Sequence, residues 1–321
     1  MVKIAIAGGT GGVAQEIIDV LVATERHQIL ILTRREVPTK TPETGIAWVK
    51  TTYSDVEKLV GILQDVEVVL SFISPYLDQE EATTVQKNLI DASIKAGVKR
   101  FAPSEWASAG LEHLSWYVYK GATRRYLEDI NKEKPVLEYS LFQPGLFTNY
   151  LTRPYESAKH VKAIDIPFDF EKRRALLRDG GDDDCISFTT VQDLASVVAR
   201  AIEFEGKWPV VGGMRGTTMS VGRMIDLGEE IRGGPFTVDK ISTLGLENGT
   251  WTSSWLPKAD HPSISVPPEQ VERTSKIIVG GLLLAIREKA FETGGEWNAL
   301  LPDYEFTNAE EFLKKAWMGK P

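Results

Sequence analysis

The chain has 321 residues, 42% hydrophobic and 26% charged, which suits one large α/β domain or two coupled lobes. Its 37 Lys and Arg against 45 Asp and Glu leave a net charge of −8, and neither half is basic, so no cationic footprint for nucleic acid is present. A single cysteine, Cys185, excludes an internal disulfide framework, and four scattered histidines make no metal-ligand spacing, so no metal is expected.

The first expected strand is Val2-Lys3-Ile4-Ala5-Ile6-Ala7, followed by Gly8-Gly9-Thr10-Gly11-Gly12. Ile17, Ile18, Leu21 and Val22 then recur at helical spacing, so the segment reads strand, glycine turn, helix. Further strands are expected over Gln28 to Thr33, Ile46 to Val49, Val66 to Ile73, Arg100 to Ala102 and Val136 to Phe142. Helices fall between them. One is capped by Ser54 or Asp55, one is closed by Gly97 with Lys95 in its last turn, and one runs from Tyr117 to Ile130. This alternation demands a parallel sheet with right-handed crossovers.

After Pro144-Gly145 the rhythm breaks, and prolines punctuate shorter elements, with helices expected near 191–203, 220–231, 269–292 and 308–317. The expected architecture is therefore a Rossmann-type, doubly wound parallel sheet over residues 1–150. A smaller C-terminal α+β substrate lobe, interwoven with the first, takes residues 151–321. The longest nearly apolar stretch, Ile277 to Ile286, is shorter than the roughly 20 residues that span a bilayer. Val2 already belongs to a strand and leaves no place for a secretory leader, so a cytoplasmic protein with no membrane partner is expected.

Gly8-x-x-Gly11-x-x-Ala14 follows a strand and opens a helix, the context of a phosphate-binding turn. Gly8 permits the tight turn, Gly11 lets backbone approach a diphosphate, and Ala14 keeps the helix close to the sheet. The helix N-terminus offers N–H groups to an anion, which makes Gly8, Thr10, Gly11, Gly12 and Val13 candidate cofactor contacts. The second strand ends Leu32-Thr33-Arg34-Arg35, with no acid at its tip to hold the ribose hydroxyls of NAD. Thr33, Arg34 and Arg35, with Lys40 nearby, instead suit a 2′-phosphate, so NADP(H) is the expected cofactor.

Asn88 to Trp106 contains Ala96-Gly97-Val98-Lys99-Arg100-Phe101-Ala102-Pro103-Ser104-Glu105, which resembles a signature of the NmrA-like and isoflavone-reductase-like proteins. These are atypical short-chain dehydrogenase/reductases. The glycine turn, Thr33-Arg34-Arg35, Lys120 with Arg124-Arg125-Tyr126-Leu127-Glu128, and Pro144-Gly145-Leu146-Phe147-x-x-Tyr150 occur in the family's order. Ile186 to Ala195 is similar to a later family segment, so the resemblance covers about residues 1–205. It implies NADPH-dependent reduction of a small, often aromatic or polyketide-like molecule, with Lys120 in the catalytic role. It also implies a monomer or a homodimer.

The Tyr-x-x-x-Lys dyad of ordinary dehydrogenases is absent, because Trp116 stands four residues before Lys120. Tyr117 is placed to share Lys120's helical face and Tyr119 is not. A lysine in a semi-closed apolar pocket near the cofactor's ribose has its pKa lowered towards neutrality and exchanges protons there, so Lys120 is also a candidate cofactor contact. Ser71, Phe72, Pro144 and Phe147 lie at the carboxyl ends of strands, where ligands bind in this fold class, and are further candidate cofactor contacts. Trp106, Trp116, Tyr117, Tyr150, Trp251 and Trp255 are candidate walls for a planar substrate, the last two in a lid loop.

Asp179-Gly180-Gly181-Asp182-Asp183-Asp184 lacks the spaced ligands of a calcium loop and is expected to turn a hairpin between flanking strands. Cys185 beside three aspartates is expected to have a raised pKa and no nucleophilic role. Alternatives to the reductase are a non-catalytic NADP(H)-sensing regulatory protein and a cofactor-assisted isomerase or dehydratase.

Overall fold

The computed structural model describes residues 1–37, 45–74, 78–259, 261 and 266–321. It divides into two units. The first takes Met1–Trp106, Tyr117–Phe142 and Leu194–Gly212, and the second Ala107–Trp116, Gln143–Asp193 and Gly213–Pro321. The units interleave along the chain, so no single boundary at residue 150 separates them.

The first unit alternates strand and helix as β1 (Val2–Ala7), α1 (Gly12–Ala23), β2 (His27–Thr33), β3 (Ile46–Lys50), α2 (Val56–Ile62), β4 (Val68–Ser71), α3 (Gln79–Ala96), β5 (Arg100–Ala102), α4 (Val118–Asn131) and β6 (Glu138–Tyr139). Six parallel strands pair in the order β3-β2-β1-β4-β5-β6, the strand order of a Rossmann sheet. Side chains alternate across each strand. Ala5, Ala7, Leu32, Val69 and Phe101 join one core with Leu59 of α2 and Leu63 just after it, Leu89 and Ile90 of α3 and Leu127 of α4. The intervening residues Ile4, Ile6, Ile29, Ile31, Val68 and Leu70 are equally buried on the other face. Asp55 and Asp78 accept backbone N–H groups at the starts of α2 and α3. Gly97 ends α3 at φ 76°, the left-handed cap that favours glycine.

The sixth strand is shorter than the expected span 136–142. Only Glu138 and Tyr139 pair with β5, and Leu141–Gln143 (β7) leaves the sheet to pair with Val211–Gly213 (β12). Leu141 N–H donates to the Val210 carbonyl at 2.9 Å, so these hydrogen bonds are satisfied outside the sheet.

In the second unit β10 (Arg174–Arg178) lies between antiparallel β9 (Phe168–Asp169) and parallel β14 (Thr237–Ile241). A separate sheet sets β11 (Cys185–Thr189) between antiparallel β13 (Thr217–Ser220) and parallel β8 (Leu146–Phe147). The flanks of the 179–184 turn therefore belong to different sheets, which corrects the expected hairpin. Arg178 draws the turn together through paired bonds to the Asp184 carboxylate, both 3.0 Å. No group of three or more His, Cys, Asp or Glu that could hold a metal ion occurs among the described residues.

Helices α5 (Val191–Glu203), α6 (Val221–Arg232), α8 (Val271–Arg287) and α10 (Ala309–Trp317) match the expected positions, and α7 (Thr243–Asn248) and α9 (Glu296–Leu300) are short additions. Helix α8 stops at Arg287, five residues before the end expected from its apolar pattern. Its Leu283 and Leu284 pack with Leu176, Ile241 and Leu246 in this unit's core. No helix of the described residues is long and apolar enough to cross a membrane.

Candidate functional site

The glycine turn is built by close backbone approaches. Gly8 has φ 76°, and a Cβ there would lie 3.1 Å from the Phe72 backbone, so this position requires glycine. A Cβ on Gly9 would meet Ile31 at 2.7 Å. Gly11 precedes α1 with no side-chain cap, and the helix's first turn carries no acid. The first N–H groups of α1 thus keep the positive potential that attracts an anion. Ala14 is fully buried, as close helix–sheet packing requires.

Tyr53, which the sequence did not single out, ties this turn to the end of β2. Its hydroxyl donates to the Leu32 carbonyl at 2.8 Å and accepts from Gly8 N–H at 3.3 Å. Burial pushes this phenol up to about 12, so it stays a donor throughout the physiological range. Its only sequence signal is a tyrosine just after β3.

Beyond Thr33, the Arg34 guanidinium is 45% exposed and pairs with Glu81 in the first turn of α3 at 2.5 Å. Arg35 N–H donates to the Thr33 hydroxyl at 3.0 Å. Glu36, the next acid along the chain, is held by Lys50. Lys40 lies outside the described residues.

Ser71 is buried at the end of β4, where its hydroxyl meets Gln86 Nε2 at 2.8 Å and its carbonyl accepts from Trp106 Nε1 at 2.7 Å. The Trp106 ring stacks on Phe72 at 4.4 Å and on Phe142 at 5.4 Å. Its backbone takes φ 47°, which an indole tolerates only because these contacts over-determine it.

Lys120 lies in the first turn of α4 and is 3% exposed. Its Nζ donates to the main-chain carbonyl of Glu105 and sits 3.5 Å from the centroid of the Tyr117 ring. Tyr117 does approach Lys120, while the Tyr119 hydroxyl is engaged with Ser74 at 2.9 Å. The Glu105 carboxylate is buried and takes two bonds from Arg124, 3.0 Å from Nε and 2.5 Å from Nη2. Burial pushes the Lys120 amine down to about 7. Attraction to Glu105 opposes that shift and repulsion from Arg124 adds to it. A buried amine near pH 7 can give up or take a proton without a large driving force.

Within the second unit, the Pro144 carbonyl accepts from the Thr189 hydroxyl at 2.7 Å. Gly145 has φ 74°, and a Cβ there would lie 2.2 Å from the Ser187 carbonyl. Phe147 is buried and meets Tyr150 edge-on at 5.6 Å. Trp116 packs where a Cβ on Gly281 of α8 would be, at 3.1 Å.

Trp251 lies in the core around Leu246, Val279 and Leu283, with Trp255 packed against that core. This corrects the expected lid loop, because Gly280 opens the space on α8 that the Trp251 ring occupies. Cys185 has the expected raised pKa, with burial as the first cause and Glu292 ahead of the adjacent aspartates.

A model of the NmrA-like family matches residues 2–214. The chain belongs to the NmrA-like family. Oxidoreductase swnN of Metarhizium robertsii is 26% identical over all of this NmrA-like chain and 98% of its own length. Oxidoreductase BOA1 of Botryotinia fuckeliana is 34% identical over 52% of the chain, a match that spans 57% of that protein's length. Among solved structures, AtPrR2 with NADP+ and (+)pinoresinol superposes with a TM-score of 0.69 over 98% of both chains at 18% identity. That likeness carries the fold of the NmrA-like chain.

Proposed function

We propose that this chain is an NADPH-dependent reductase of a small, aromatic or polyketide-like molecule, with Lys120 as its proton-transfer group. The observation that carries the reading is Lys120 itself, a buried amine pushed down to about 7 in the unit that also holds the glycine turn and Arg34. The named oxidoreductases among the relatives support the reaction class.

The residues of the first unit fit the cofactor. The turn of Gly8, Thr10, Gly11, Gly12 and Val13 has no Cβ at its closest approaches and no acid in the helix turn behind it, which suits a diphosphate. Thr33, Arg34 and Arg35 suit the phosphorylated adenosine end, and Ser71 and Phe72 stand at the next strand end. When bound, NADPH supplies the hydride, which no side chain can.

The chain's own part is to orient the acceptor and manage the proton. In its protonated form Lys120 donates a hydrogen bond from Nζ to the acceptor atom, and it then yields that proton as charge develops there. The Tyr117 ring beside Nζ favours the charged form and offers an aromatic face to a planar acceptor. AtPrR2 with (+)pinoresinol shares the fold and supports an aromatic acceptor by analogy.

The test is to incubate the protein with NADPH and a panel of aromatic ketones, enones and imines. Stoichiometric NADPH oxidation is expected with at least one class, and it is lost in Lys120→Ala. Tight NADP binding with no oxidation across the panel would replace the reductase by a dinucleotide sensor. Turnover unchanged in Lys120→Ala would remove the lysine from the mechanism.

A further inference from the structure

Helix α4 grips Glu105 twice. Lys120 takes its main-chain carbonyl, and one helical turn later Arg124 takes its carboxylate through two bonds. Residues four apart face the same way on a helix, so both cations reach the segment that follows β5 from one side. The Glu105 side chain is 1% exposed and Arg124 is 21% exposed. Burying a carboxylate so deeply is costly without a hydrogen-bonded partner of this kind. We propose that Glu105 and Arg124 form a positioning pair for Lys120. They fix where Nζ sits and set two opposing charges beside it.

The charged groups acting on the amine are the Glu105 carboxylate, from the segment after β5, and the Arg124 guanidinium, from α4. The Tyr117 ring faces it from the short turn Ser115–Tyr117. The carboxylate favours the charged amine and the guanidinium disfavours it, and each is held by the other. Removing one charge therefore unmasks its partner. Glu105→Gln leaves Arg124 to push the Lys120 midpoint further down, whereas Arg124→Met leaves Glu105 to pull it up. Each shift is expected to be about one pH unit or more. The double variant restores the balance and returns the midpoint towards that of the unaltered protein. A merely structural role would not produce shifts of opposite sign.

The proposal depends on the reductase reading only for its kinetic consequence, a matching shift in the pH profile of NADPH oxidation. The decisive measurement needs no turnover: titration of the protein labelled with [ε-13C]lysine, followed by NMR, with Lys120→Met used to assign the resonance. Opposite displacements in the two single variants, with recovery in the double, are expected. Displacements of the same sign, or none, would overturn the pair. If Arg124→Met does not fold, Glu105→Gln decides alone, and an unchanged or raised midpoint there overturns it. Failure of NADPH oxidation with the expected NMR shifts would strike the reductase reading and leave the pair intact.

Discussion

Lys120 and Arg34 are cations of the same unit, and they teach opposite lessons about charge in this molecule. Arg34 follows β2 in partial contact with water, and Glu81 beside it is 43% exposed, so their attraction is screened and worth at most about 1 kcal/mol. Lys120 is sealed in, and its environment rather than its type decides whether it is charged at pH 7. An exposed arginine can wait for an anionic group and exchange partners cheaply. A buried lysine poised near neutrality can exchange a proton.

Substitutions at the two positions should separate along that line. Lys120→Ala is expected to have the largest effect, lowering NADPH-dependent turnover by about 100-fold or more in steady-state assays while the dissociation constant for NADP stays within about threefold. If binding falls instead, Lys120 belongs with Arg34 and the contrast fails. Arg34→Ala should weaken NADPH binding by about 10- to 100-fold in a titration and leave NADH binding nearly unchanged, the loss expected for charge-assisted hydrogen bonds to a phosphate.

The contrast also has a signature in stability. The folded-state pKa of Lys120, about 7, lies below its ordinary 10.5, so between these values the unfolded chain binds more protons than the folded one. Stability should therefore rise with pH across that window, by up to about 1.4 kcal/mol per pH unit from this group. The contribution should vanish in Lys120→Met and persist in Arg34→Ala, as read from denaturant midpoints at pH 7 and pH 9.

Smaller effects sharpen the Arg34 side. Tyr53→Phe removes the hydroxyl that joins Leu32 to Gly8, and it should lower unfolding stability by about 1–2 kcal/mol with weaker NADPH binding. Glu81→Gln should tighten NADPH binding by no more than about fivefold at low salt, an effect that fades as salt rises.

Local patterns were the legible part of the chain. The glycine turn, the arginines at the end of β2, the cap at Gly97 and helix α5 follow from residue types at neighbouring positions, and the structure forms them there. Tyr53 was not legible, because its partners at Leu32 and Gly8 are distant in sequence and a lone tyrosine carries no spacing signal. The sixth strand misled for a related reason. Residues 136–142 contain no Gly or Pro to break a strand, and the competing segment near Val210 takes over the pairing after Tyr139. Trp251 likewise sits in a Gly/Ser/Thr-rich stretch typical of a loop, yet the space above Gly280 draws it into the core.

The sequence by itself determined the alternating strands and helices, the family, the glycine turn that opens α1 and the arginines that follow β2. These depend on periodicity and on the conformational freedom of glycine, which act over a few residues. Tertiary structure decided the protonation of Lys120. Its amine is pushed down by burial, and the groups that modify this, Glu105 and Arg124, reach it only because α4 packs beside the segment after β5. Desolvation belongs to the folded state, and no single residue's neighbours in sequence can specify it.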